Sequence, residues 1–132
     1  MGTASYVLEK GEKKYLDSSY GRPEYVDYPA RKHPDIKFVV AHMAQPYFLE
    51  AYSLADHNPN VFLDICLRYP QRDILATFCE GVNIFDYLSA DRMVWGTDNF
   101  LSHSETLEET RKLLQRVGVP KEKHEALLTP AL

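Results

Sequence analysis

Three short apolar runs constrain the fold of this chain more than any other feature. They lie at residues 38–41, 61–63 and 93–95, and they predict strands over residues 35–42, 61–66 and 93–95. Apolar runs without polar alternation are typical of strands that are covered on both faces, as in a parallel sheet. The second predicted strand contains one carboxylate, Asp64, which must find a polar partner or lie at the edge of the sheet.

The segments around these strands predict helices. Apolar residues recur at helical spacing over residues 23–33, 46–56, 71–88 and 104–117, and Pro120 begins a further helix. Ser104 is the predicted cap of the fourth helix, and Gly118 is the predicted stop. Strands that alternate with helices predict an α/β protein, with a parallel sheet and right-handed crossovers.

The composition excludes several classes of protein. The 132 residues are enough for one domain, with an irregular segment at 1–20 and a β/α domain at 21–132. A formal charge of −4 gives no electrostatic basis for binding nucleic acid or an anionic membrane. No apolar run approaches the ~20 residues of a membrane span. Cys66 and Cys79 lack metal-ligand spacing, so we expect free buried thiols in a cytoplasmic protein.

Two polar side chains are predicted at the carboxyl edge of the sheet. His42 ends the first strand, and Asp98 follows the third in the sequence Gly96-Thr97-Asp98, where Gly96 permits a close backbone approach. Ligands of parallel α/β folds bind at this edge. An imidazole and a carboxylate suit a divalent metal or general acid–base catalysis. The alternative is purely structural, with His42 bonded in a loop and Asp98 capping a turn.

Three further residues are predicted to contact a substrate. Asp64 lies in the second strand, Arg68 follows that strand toward the same edge, and His103 precedes the fourth helix. Arg68 would orient an anionic group, and His103 would lean over the site. The alternative places Arg68 on a plain surface and His103 in a solvated loop.

Taken in order, the segments 38–42, 60–64 and 92–98 resemble the C-terminal half of the amidohydrolase-related (amidohydrolase 2) family. Its members are TIM-barrel metal-dependent hydrolases and decarboxylases, and the resemblance extends over residues 21–127. It implies that the three strands correspond to the sixth, seventh and eighth of a (β/α)8 barrel. It also implies that Asp98 binds a divalent metal, zinc above all, and helps to activate water. His42 would bind the metal or transfer protons, and the substrate would be a small polar molecule.

The chain also departs from the family pattern. No two histidines are separated by one residue, so the first-strand His-x-His pair of the family is absent. A whole barrel needs ~250 residues, so we expect a half-barrel that is completed by a homodimer or larger homo-oligomer. A non-catalytic fragment or oligomerising module is the alternative function. A doubly wound phosphate-binding domain is disfavoured because no glycine-rich strand-to-helix turn is present.

Overall fold

The computed structural model describes residues 18–65, 92–97 and 102–129, and the strands and helices alternate there as predicted. The elements in chain order are α1 (Glu24–Lys32), β1 (Phe38–Val40), α2 (Phe48–His57), β2 (Val61–Asp64), β3 (Met93–Val94), α3 (His103–Arg116) and α4 (Lys121–Leu128). Two short 3-10 segments, Ser18–Gly21 and Ala41–Ala44, complete them. The helix predicted over residues 71–88 lies outside the described residues.

The three strands form one parallel sheet in the order β1-β2-β3. Val40 lies opposite Leu63, which in turn lies opposite Met93, and all three side chains are buried. Helix α2 packs on β2 and helix α4 on β3, and so the helices cover this face. The predicted mixed α/β class with a parallel sheet is confirmed.

The opposite face of the sheet is only partly covered. Val39 is 45% exposed there, and its neighbour across the strand pair, Phe62, is buried. The ammonium of Lys37 lies 5.7 Å and the guanidinium of Arg92 5.5 Å from the centre of the Phe62 ring. The side chains of Val40, Phe62 and Val94 are buried, as the apolar runs predicted, whereas Phe38 is only half-buried.

Two polar side chains fasten the amino ends of the strands. The Asn60 amide donates to three carbonyl oxygens at and beyond the end of α1, those of Ala30, His33 and Ile36, at 2.9–3.1 Å. The Arg92 guanidinium donates to three others at the end of α2 and the start of β2, those of Ala55, Asn58 and Val61, at 2.5–3.1 Å. Two of these acceptors, the carbonyls of Ala30 and Ala55, lie in the last turns of α1 and α2, where helix carbonyls have no intrahelical partners.

Several boundaries differ from the prediction: β1 begins at Phe38 rather than at residue 35, β2 ends at Asp64 rather than at residue 66, and β3 ends at Val94 rather than at residue 95. Strand β1 ends at Val40 rather than at residue 42, because the chain turns away at Ala41. Helix α3 is capped by Ser102, not Ser104: the Ser102 hydroxyl accepts from the Glu105 N–H, and the Glu105 carboxylate accepts from the Ser102 N–H. Only Ser102 has an acidic residue three positions later, as a reciprocal cap requires. No helix in the described ranges has the length and hydropathy needed to cross a membrane.

Candidate functional site

The candidate site lies at the carboxyl edge of the sheet, where β1 and β2 end side by side. Asp64 is the last residue of β2, and His42 lies two residues beyond the end of β1. Because neighbouring parallel strands end at the same edge, the sheet brings these two side chains together.

The turn that carries His42 has an unusual backbone. His42, Met43 and Ala44 have φ angles of 52°, 47° and 54°, so three consecutive residues with side chains adopt the left-handed conformation. Such a conformation costs roughly 1–2 kcal/mol per residue. Complete burial of Met43 and Ala44 offsets part of that cost, and the Gln45 N–H donates to the His42 carbonyl at 3.0 Å. The turn thus anchors its second half in the core and leaves His42 at the edge.

His42 and Asp64 make two contacts. The main-chain N–H of His42 donates to Oδ2 of Asp64 at 3.3 Å, and the ring Nδ1 lies 3.7 Å from the same oxygen. The Asp64 side chain is 14% exposed and the His42 side chain 26% exposed. The pair is therefore partly shielded from water but still open to a small ligand.

Gly96 closes the other side of Asp64. A Cβ atom placed on Gly96 would lie 3.0 Å from Oδ1 of Asp64, which is too close for an undisturbed contact. The close backbone approach predicted at Gly96 is confirmed, and the group that approaches is the Asp64 carboxylate. Asp98 follows two positions later in the sequence and lies outside the described residues.

Of the remaining predicted site residues, the described part of the chain includes only His103. His103 is the exposed first residue of α3, and no hydrogen bond or ion pair joins it to His42 or Asp64. Arg68 lies outside the described residues. The sequence offered no signal for the bond between the His42 main chain and Asp64, since residues 42–44 include no glycine that would mark a left-handed turn.

The side chains at the edge are of the kinds that bind divalent metals. An imidazole and a carboxylate act either as two ligands or as a ligand and the carboxylate that orients it. A catalytic zinc ion usually has three protein ligands. Within residues 18–65, 92–97 and 102–129, no group of three His, Cys, Asp or Glu side chains is placed to hold a metal. The pair therefore has the chemistry of part of a metal site, and a metal bound there would need a further ligand from outside the pair.

Comparison with known proteins gives one match. A family model with the description amidohydrolase matches residues 15–129, a range that includes the seven strands and helices of the described residues and every predicted site residue. No curated protein and no solved structure matches the chain.

Proposed function

The chain belongs to the amidohydrolase family, as the three strand-end segments predicted, and from this we propose that it supplies the catalytic edge of a metal-dependent hydrolase or decarboxylase. Membership favours hydrolase-like chemistry on a small molecule, and members of the family commonly use divalent metals. The observation that carries the proposal is the approach of the His42 ring to the Asp64 carboxylate, 3.7 Å apart, at the carboxyl edge of a parallel sheet. This is the edge at which barrel enzymes place their catalytic groups.

We assign roles by the chemistry of each group. His42 and Asp98 would hold the divalent ion, zinc above all, and Asp98 would also accept a proton from the attacking water. When bound, such an ion lowers the pKa of water and polarises a substrate carbonyl. Arg68 and His103 would contact the substrate, a small polar molecule with a C–N, ester or carboxylate group.

Metal titration by calorimetry tests this assignment. Wild-type protein should bind Zn²⁺ or Mn²⁺ with micromolar or tighter affinity, and His42→Asn and Asp98→Asn should each lose that binding. Asparagine suits position 42 because it tolerates the left-handed backbone there. His33→Asn is the matched control, since His33 is an exposed histidine just after α1. Absence of binding by the wild type, or equal binding by all variants, would contradict the metal-dependent function.

We also propose that residues 21–132 form a half-barrel, preceded by an irregular segment at 1–20, and that a second copy of the chain completes it. Two features support this arrangement. Within the described residues no strand pairs with the outer edge of β1 or of β3. In addition, Val39 leaves an apolar side chain 45% exposed on the partly covered face of the sheet. Unpaired edges beside an apolar face favour assembly.

Light scattering tests the assembly. The wild type should have at least twice the mass of the chain, and Val39→Lys should shift the population toward the monomer. Leu49→Lys provides a matched control, because Leu49 is also an exposed apolar residue (61%) but lies on α2, away from the sheet. A monomeric wild type would contradict the proposed completion. A stable oligomer that binds no metal would instead favour the alternative function, a non-catalytic oligomerising module.

A further inference from the structure

Asp64 lies between two neighbouring strand ends. Its Oδ2 accepts from the main-chain N–H of His42 at 3.3 Å, and its Oδ1 faces Gly96, where an added Cβ would lie at 3.0 Å. The side chain is only 14% exposed. Both carboxylate oxygens are thus directed at the segments that follow β1 and β3, which limits their freedom to reach a substrate.

The same carboxylate acts on the imidazole of His42. The Oδ2 atom lies 3.7 Å from Nδ1, too far for a hydrogen bond but within the distance at which the two groups interact electrostatically. A negative charge beside Nδ1 favours the tautomer with its proton on that nitrogen. The lone pair is then on Nε2, where it can bind a metal or accept a proton.

We propose that Asp64 is a positioning residue that fixes the tautomer and orientation of His42, and that Gly96 is required because its missing side chain makes room for the Asp64 carboxylate. This role differs from the substrate contact predicted for Asp64. The inference rests on the proposed function only in giving Nε2 a metal to bind or a proton to accept. The tautomer itself is a property of the protein without metal or substrate.

The tautomer can be read directly by NMR. Long-range ¹H–¹⁵N spectra of the metal-free, ¹⁵N-labelled protein distinguish the two ring nitrogens, and His42→Asn identifies the His42 signals among those of the five histidines. At about pH 9 a histidine ring of ordinary pKa is neutral. In the wild type the Nδ1–H form of His42 should predominate. In Asp64→Asn the share of the Nε2–H form should rise, because the negative charge that favours a proton on Nδ1 is lost.

Matched variants make the result specific. Asp56→Asn removes a carboxylate from an exposed position on α2 and should leave the His42 signals unchanged. Gly96→Ala should displace the Asp64 carboxylate and shift the tautomer in the same direction as Asp64→Asn. It also keeps the proposal testable if Asp64→Asn does not fold. A His42 tautomer that is the same in the wild type and in a folded Asp64→Asn or Gly96→Ala protein would overturn the proposal.

Zinc affinity separates this proposal from the proposed function. If the wild type binds Zn²⁺, Asp64→Asn should weaken binding by about 10–100-fold, the usual cost of removing a partner that orients a ligand. If the wild type binds no Zn²⁺ but Asp64→Asn changes the tautomer, the positioning role stands and the metal-dependent function fails. Unchanged zinc affinity in Asp64→Asn, with an unchanged tautomer, would refute the positioning role alone.

Discussion

Replacing Arg92 with methionine should destabilise the fold while leaving the candidate site intact. The guanidinium donates to the carbonyls of Ala55, Asn58 and Val61 at 2.5–3.1 Å. These acceptors lie at the end of α2 and the start of β2, at the edge of the sheet opposite His42 and Asp64. Methionine keeps an apolar side chain at this position but lacks the guanidinium, so the substitution removes the hydrogen bonds and the contact of the guanidinium with the Phe62 ring.

The size of the effect follows from the three acceptors. A hydrogen bond to a charged group contributes about 1.5–3 kcal/mol, and a buried acceptor left without a donor costs about 1–3 kcal/mol. Arg92 is half-buried, so water can replace part of its donation. We therefore expect the free energy of unfolding to fall by about 3–5 kcal/mol. This is a large fraction of the free energy of unfolding of a typical domain, which is roughly 5–15 kcal/mol.

Urea denaturation followed by circular dichroism measures this loss. With an m-value of about 2 kcal/mol per molar urea, the midpoint should fall by about 2 M. Arg31→Met is the control, because Arg31 is exposed and pairs only one turn away with Asp27 on α1, a pair worth about 0.3–0.5 kcal/mol. A midpoint for Arg92→Met no lower than that of Arg31→Met would refute the reasoning.

Three further substitutions test other features of the structure. Asn60→Asp should destabilise the protein by about 2–4 kcal/mol at neutral pH, because it turns a donor to three carbonyls into a negative charge; urea midpoints should recover in part at acidic pH, when the carboxyl can donate again. Gly118→Ala should cost about 1 kcal/mol, because φ at Gly118 is 77°, and no atom lies within 4 Å of an added Cβ to cause a steric clash. Thermal melting measures the loss, and an equal loss in Gly21→Ala, at a glycine whose φ is not positive, would contradict this cause. The hydrogen bond from the Ser102 hydroxyl, and after it the bond from the Ser102 N–H, lowers the pKa of Glu105. The ionised carboxylate therefore stabilises α3 above the ordinary pKa of glutamate, and this stabilisation is lost as the pH falls through the lowered pKa. Melting temperatures should therefore favour the wild type over Glu105→Gln at neutral pH and converge on acidification, and a constant difference would argue against the charge.

The sequence predicted those parts of the fold that depend on burial of whole segments. The apolar runs at residues 38–41, 61–63 and 93–95 identified all three described strands, because a strand covered on both faces needs such a run. The limits of the elements were less predictable. The end of β1 depends on Met43 entering the core through a turn that needs tertiary contacts to hold it. The Ser102 cap was readable in principle, since Glu105 follows at the required spacing.

The candidate site was predictable in its location but not in its contacts. The carboxyl edge followed from the order of strands, which placed His42 and Asp64 near each other. The hydrogen bond from the His42 main chain to Asp64 was not predictable, because it depends on a backbone conformation that the sequence does not mark. Arg92 illustrates the same limit, because its acceptors are main-chain carbonyls, which every residue carries.

In the left-handed turn within Ala41–Ala44, the residue that would most stabilise the backbone differs from the residue that the proposed catalytic role requires. At residues 42 and 44 glycine or asparagine would suit the backbone better than the side chains that are present. A library randomised at these two positions and sorted only for yield of folded protein should therefore enrich glycine at both, and asparagine only at residue 42, because residue 44 is completely buried. The same library sorted for catalysis should retain His42 and accept the less favourable backbone. A difference between the two selections in the residue recovered at position 42 would show that His42 is kept for its side chain and not for the stability of the turn.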